Sequence, residues 1–229
     1  LDQPRFGEVH LDRATFGGAY AAKRMEARAE LFREGKSVIS ANASIPVDLQ
    51  LASTPTRMLP DSLHGKIRSE SVDLAILETV SPAVVNASGA FAANLDIGGV
   101  WPRPQLSGNI TVSNGALGLA PLGGVRLTDL NATLEFLGDS LSIQRFNVVT
   151  REERVGNLSL SGFASLADRD NPRFDLTVNA RNFHIIDKPR VAHLDISVSN
   201  LRLAGSYDRS TLTGLVVVDR GTIFIPDLI

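Results

Sequence analysis

Gly138-Asp139-Ser140-Leu141 follows an apolar stretch and matches the short signature of one class of serine esterases. In that chemistry the serine attacks, and a histidine held by a carboxylate takes its proton. The Asp-x-x-His spacing that would supply the base occurs only as Asp61…His64, upstream of the serine. Arg181 and Arg190, not acids, stand three residues before His184 and His193. A two-residue hairpin turn with glycine first explains the same four residues without chemistry. The histidines, His10, His64, His184 and His193, are scattered with no metal-ligand spacing. His10 and His193 fall at the polar phase of their strands, so solvated face positions are the expectation. Cysteine is absent, which removes thiolate chemistry and disulfides. Asn42, Asn86, Asn109, Asn131 and Asn157 open Asn-x-Ser/Thr triplets. These are glycan-acceptor patterns, and they also arise wherever strands carry an Asn/Ser/Thr face. There is no Walker loop, dinucleotide fingerprint or carboxylate pair. The chain therefore reads as no enzyme, with no metal and no cofactor.

What the sequence does offer is alternation. From Pro104 to Phe163, apolar residues take every second place: Ile110, Val112; Leu130, Ala132, Leu134, Phe136; Leu141, Ile143; Leu158, Leu160. A period of two means strands with one apolar and one polar face. The turn at Gly138-Asp139 sets Phe136 opposite Leu141 and Leu134 opposite Ile143. Phe146 then falls on the wrong parity, which predicts a bulge near Arg145. A shared pattern begins at Gly7, Gly108 and Gly214: glycine, two alternate apolar residues, a polar break, then an apolar residue. The breaks Ser113-Asn114-Gly115 and Asp219-Arg220-Gly221 shift parity by one, as a bulge does; a tight hairpin is the other reading.

The 229 residues carry a formal net charge of −2, which gives no electrostatic case for nucleic acid or an acidic membrane surface. Aromatic residues are 6% of the chain, so the core must be aliphatic. No apolar run approaches the roughly 20 residues of a membrane helix. Residues 19–35 fit both a helix, by composition, and a hairpin, because Ala27, Ala29 and Leu31 alternate with charges. A hairpin turning at Glu34-Gly35-Lys36 is expected, since the surroundings are strand. Residues 52–62, with two prolines, must be loop. Residues 72–80 carry the best helical signal, ended by Pro82, and would plug an end or edge of the sheet. Trp101-Pro-Arg-Pro104 forms a stiff connector. Turn signals recur every 8 to 15 residues, an all-β spacing.

Several motifs, in order, resemble the C-terminal β-rich part of the TamB family, within the AsmA-like superfamily of bacterial envelope proteins. They are Pro104-Gln-Leu-Ser-Gly108 with Ile-Thr-Val-x-x-Gly, and Leu127-Thr-Asp-Leu-Asn-Ala-Thr-Leu134 leading to Gly-Asp-x-Leu-x-Ile. Leu158-Ser-Leu-Ser-Gly162, Phe174-Asp-Leu-Thr-Val-Asn-Ala180-Arg-Asn and Leu212-Thr-Gly-Leu-Val-Val-Val-Asp-Arg-Gly221-Thr-Ile complete the run. The N-terminal part fits too, with Ala-Ser-Ile-Pro46-Val-Asp-Leu, a short helix, then Gly-x-Phe-x-Ala. The resemblance implies a periplasmic segment of an inner-membrane-anchored protein from a double-membrane bacterium. It implies a long sheet folded like a taco shell, phospholipid transport between the membranes, and outer-membrane protein assembly with a TamA-like barrel.

The expectation is therefore all-β: an elongated antiparallel or mixed sheet curled into an open apolar groove, with one short helix near 72–80. Residues 1–229 are read as one β-rich segment of a longer chain, with hairpins and the helix in 1–103 and the TamB-like groove in 104–229. Phospholipid or another acyl-chain ligand is the expected partner, with no nucleic acid. The groove residues expected are Val9, Leu11, Ile110, Val112, Leu134, Phe136, Leu141, Ile143, Leu158, Leu160, Leu176, Val178, Leu194, Ile196, Val216, Val218, Ile223 and Ile225. Acyl burial at about 0.8 kcal/mol per methylene offsets extraction from a bilayer only along a continuous groove. Two other functions fit the same pattern: a scaffold that lends its sheet edges to unfolded barrel strands, and a closed structural or adhesive β domain.

Overall fold

The computed structural model describes residues 5–6, 9–10, 12–51, 56–151, 154–168, 170–188 and 192–223. A small hairpin pairs β1 (Arg5–Phe6) with β2 (Val9–His10). The rest is one antiparallel meander of twelve strands in chain order, not closed into a barrel. It runs β3 (Arg13–Ala21), β4 (Arg24–Arg33), β5 (Lys36–Pro46), β6 (His64–Asp73), β7 (Val84–Val100) and β8 (Arg103–Leu119). It continues through β9 (Val125–Gly138), β10 (Ser140–Arg151), β11 (Val155–Ser165), β12 (Arg173–Lys188), β13 (Ala192–Ser206) and β14 (Ser210–Ile223). Every pairing is antiparallel, so the mixed alternative falls away.

Tight turns fix the register. Glu34 (φ 53°) and Gly35 (φ 73°) both lie in the left-handed region, the signature of a primed hairpin turn. The hairpin expected over 19–35 is thus real, with a further turn at Ala22-Lys23. Gly138 (φ 65°) opens the next expected turn and pairs Phe136 with Leu141 and Leu134 with Ile143. Trp101-Pro102 joins β7 to β8.

The sheet curls along a line of bulges. Asn86, Asn114, Asp129, Asn182 and Asn200 hold φ near 50°, where short polar side chains are tolerated. The β9–β10 register shifts between Ile143 and Arg145, as the parity of Phe146 required. Ser113-Asn114-Gly115 lies inside β8 and Asp219-Arg220-Gly221 inside β14, each beside a register shift, so both are bulges and not turns. Each bulge adds twist and bends its strand. Glycine lets the bent strands approach: a Cβ on Gly108 (φ 118°) would stand 1.9 Å from the carbonyl oxygen of Asn94.

The helical segment is shorter than its sequence pattern. Val72 and Asp73 still belong to β6; a 3-10 turn at Leu74–Ile76 leads into α1 (Leu77–Val80). Asp73 accepts a hydrogen bond from the Ala75 amide at 3.0 Å and so starts the turn. Ser81, extended ahead of Pro82, stops α1. Glu78 accepts from the Ala87 amide at 2.6 Å, which fastens the segment to β7. Its Leu74 is fully buried in a cluster with Leu117, Val125, Leu127, Leu130, Val148, Phe183 and Val198. β12 reaches past β11 there to touch β9 and the 3-10 turn at Ala120–Leu122. The plug expected of residues 72–80 is this one: it seals the strand ends beyond the bulges. Among the described residues no helix is long and apolar enough to cross a membrane.

Candidate functional site

Residues directly opposite in a ladder share a face, so the faces can be read off the register row by row. One row crosses all twelve strands: Ala14, Leu31, Ile39, Ser69, Ala93, Ile110, Leu134, Ile143, Gly162, Leu176, Leu203, Leu212. Two residues along, the next reads Phe16, Ala29, Ala41, Ile67, Leu95, Gly108, Phe136, Leu141, Ala164, Phe174, Gly205, Ser210. Each row carries one hydroxyl and no charge. The row between them lies on the other face: Thr15, Glu30, Ser40, Arg68, Asn94, Asn109, Glu135, Ser142, Phe163, Asp175, Ala204, Thr211. Ion pairs decorate that polar face. Arg68 spans to Asp96 at 2.9 Å, and Arg202 Nε donates to Asp175 at 2.7 Å. The Arg202 guanidinium holds the Asp175 carboxyl below its usual range. Asn42, Asn109, Asn131 and Asn157 lie on this face too, as polar alternation requires.

The apolar face has two regimes. Beyond the bulges it is filled by its own side chains, the cluster around Leu74. Along the two uncharged rows most side chains are only half-buried, with Ala14, Ala93 and Leu95 buried among them. An apolar recess of about 350 Å³ opens over β3–β7, floored by Ala27, Ala29, Ala41 and Ala43 and flanked by Phe16, Ile67 and Ile97. Phe16 is 65% exposed at its rim, whereas Phe183 in the packed end is 5% exposed.

The structure sorts the expected groove residues accordingly. Ile110, Leu134, Phe136, Leu141, Ile143, Leu160, Leu176 and Val178 lie half-buried on the open part of the apolar face. Val112, Leu158 and Ile196 share that face but pack against the closed cluster. Leu194 is half-buried opposite Gly221, and Val216 and Val218 are exposed on the edge strand β14. Leu11, Ile225 and the side chains of Val9 and Ile223 lie outside the described residues. The alanine floor was missed. Its signal was present in the alternation of Ala27, Ala29 and Leu31, but alanine is apolar, small and helix-favouring at once.

Two other expectations resolve here. Ser140 begins β10 next to the hairpin turn, and His64 lies on β6, four strand spacings away, or about 19 Å along the sheet. Among the described residues, the Asp61…His64 pair is too far from Ser140 to serve as its base. His184, given no role by its spacing, is 1% exposed, with Nδ1 2.7 Å from Asp195 Oδ1 and its amide bonded to Thr150 Oγ1 at 3.2 Å.

Compared with known proteins, residues 144–228 match the family model described as the TamB C-terminal domain, a stretch that runs from within β10 through β14. No curated protein and no solved structure matches the chain.

Proposed function

We propose, from the match of residues 144–228 to the TamB C-terminal domain family model, that the open apolar face of this chain holds the acyl chains of phospholipids. The family is a transport and assembly module of the outer membrane. The observation that carries the finer reading is the pair of uncharged rows unbroken across twelve strands. Eleven spacings of about 4.8 Å make that track about 53 Å long. Acyl methylenes on it leave water, at about 0.8 kcal/mol each. Headgroups stay hydrated at the open margin. No catalytic residue, metal or nucleotide enters the mechanism. In this reading residues 1–229 work as one β-rich segment in the periplasm, part of a protein anchored in the inner membrane.

Photo-crosslinking amino acids at Leu134 and Ala41 test it. Both are expected to capture phospholipid in cells, and one at Glu135, on the polar face, is not. Protein that carries no lipid adduct at either apolar position would overturn the reading.

A second reading rests on β14. This edge strand exposes apolar residues on both faces: Leu212, Val216 and Val218 on one, Leu215 and Val217 on the other. An unpaired edge with such faces can accept another strand, as a scaffold for outer-membrane barrel strands with a TamA-type partner would. A crosslinker at Leu215 would then capture outer-membrane protein, and those at Leu134 and Ala41 would capture none.

A further inference from the structure

His184, His193 and Asp195 come together across the β12–β13 ladder, far from the open apolar rows. Each can offer one ligand atom, and these atoms lie within 4.8 Å of one another. His184 stands directly opposite Asp195 in register. Its imidazole is 1% exposed and Asp195 is 8% exposed. The His193 ring lies against that of His184, with centroids 4.4 Å apart. A carboxylate only accepts, so Nδ1 of His184 carries the hydrogen shared with Asp195. Nε2 is buried and has no hydrogen-bond partner among the described residues. The ring is therefore not a link in a polar network running into the core; its one side-chain partner is inside the cluster.

We propose that these three side chains form a binding site for a divalent transition metal, with Zn²⁺ the best match. Two imidazoles and one carboxylate are the donor set such ions take, with a fourth position left for water. Adjacent donors of tetrahedral Zn²⁺ lie about 3.4 Å apart, given bonds of about 2.0–2.1 Å. His184 Nδ1 and Asp195 Oδ1, at 2.7 Å, are already within that spacing. The remaining contraction falls to His193, the partly exposed member, which rotates inward. The ion takes the place of the hydrogen between Nδ1 and Oδ1, and that hydrogen moves to Nε2, so the ring binds as a neutral imidazole. The β12–β13 ladder changes register on either side of His184. A metal bound there would clamp the two strands where their backbone pairing is interrupted.

The test uses the full chain, stripped with chelator and then titrated with Zn²⁺ alone by calorimetry. One ion per chain is expected, with a higher Tm. Co²⁺ in place of Zn²⁺ should give a visible absorption band of a low-coordinate site. His193→Ala leaves the buried His184–Asp195 pair in place and should weaken binding at least ~10-fold. His184→Ala should abolish it. No saturable binding to the wild-type chain, or binding unchanged in His193→Ala, would overturn the proposal.

Discussion

Asp48 shows how one side chain holds a loop. Its carboxylate lies 2.8 Å from the Lys23 ammonium, with the Asp48 side chain 6% exposed. It also accepts from the Gln50 amide at 3.1 Å. The backbone adds Val47 N–H to Lys23 carbonyl at 2.9 Å and Asp48 N–H to Arg57 carbonyl at 2.7 Å. Together these tie the segment after β5 to the β3–β4 turn. The hydrogen bond from Lys23, then that from Gln50, hold the Asp48 carboxyl below its ordinary range. A carboxyl with a depressed folded-state pKa stabilises the fold above its unfolded pKa, about 3.9, and loses that contribution as pH falls through the folded value. Between pH 5 and pH 2 the wild-type Tm should therefore fall more steeply than that of Asp48→Asn. Parallel Tm curves would show that the pair stabilises nothing.

At the scale of elements, the bulges do the shaping, and three of them show their own repair. A bulged residue loses its ladder partner, so its amide needs another acceptor. The Asn200 amide finds Asn179 Oδ1 at 2.8 Å, Asn182 finds Ser197 Oγ at 3.0 Å, and Asn114 finds Asn131 Oδ1 at 3.2 Å. Asn200→Ala puts a Cβ-bearing residue with no local polar partner at φ 48°, which costs about 1–2 kcal/mol. Asn200→Gly should be nearly neutral, and urea denaturation of the two variants separates them; equal losses would mean the left-handed backbone is not what asparagine supports. These devices were partly legible in the sequence. Parity is a local property, so the misfit of Phe146 disclosed a bulge directly, whereas the breaks at Ser113 and Asp219 fitted a bulge or a tight hairpin until the ladder register chose the bulge. The Gly138-Asp139 turn disclosed a register. The burial of His184 was not legible, because β12 there reaches past β11 to Thr150 of β10, a contact no local pattern encodes. The helical pattern at 72–80 misled at its start because Val72 and Asp73 serve the ladder first.

For the whole molecule, the question is whether the uncharged rows act as a continuous track or as separate greasy patches. The alternation in 104–163 made one apolar face legible. Its extension over β3–β7 was not, since a floor of alanine and glycine has little hydrophobic signature, and Val112, Leu158 and Ile196 turned out to serve the packed end. A track works in series: a lipid that must pass every strand is stopped by its worst step. Patches work in parallel, and losses then add. Leu134→Asp sets a carboxylate in the middle of a twelve-strand row. Covering it with an acyl chain costs at least a few kcal/mol in lost hydration, and every 1.4 kcal/mol is tenfold. Lipid transfer should then fall at least ~10-fold from this one change, half-buried as Leu134 is and able to keep its carboxylate wet in the folded protein. Adding Leu31→Asp, five strands away in the same row, should lower it little further. If the double variant instead loses the product of the two single effects, the face is a set of independent sites and not a conduit.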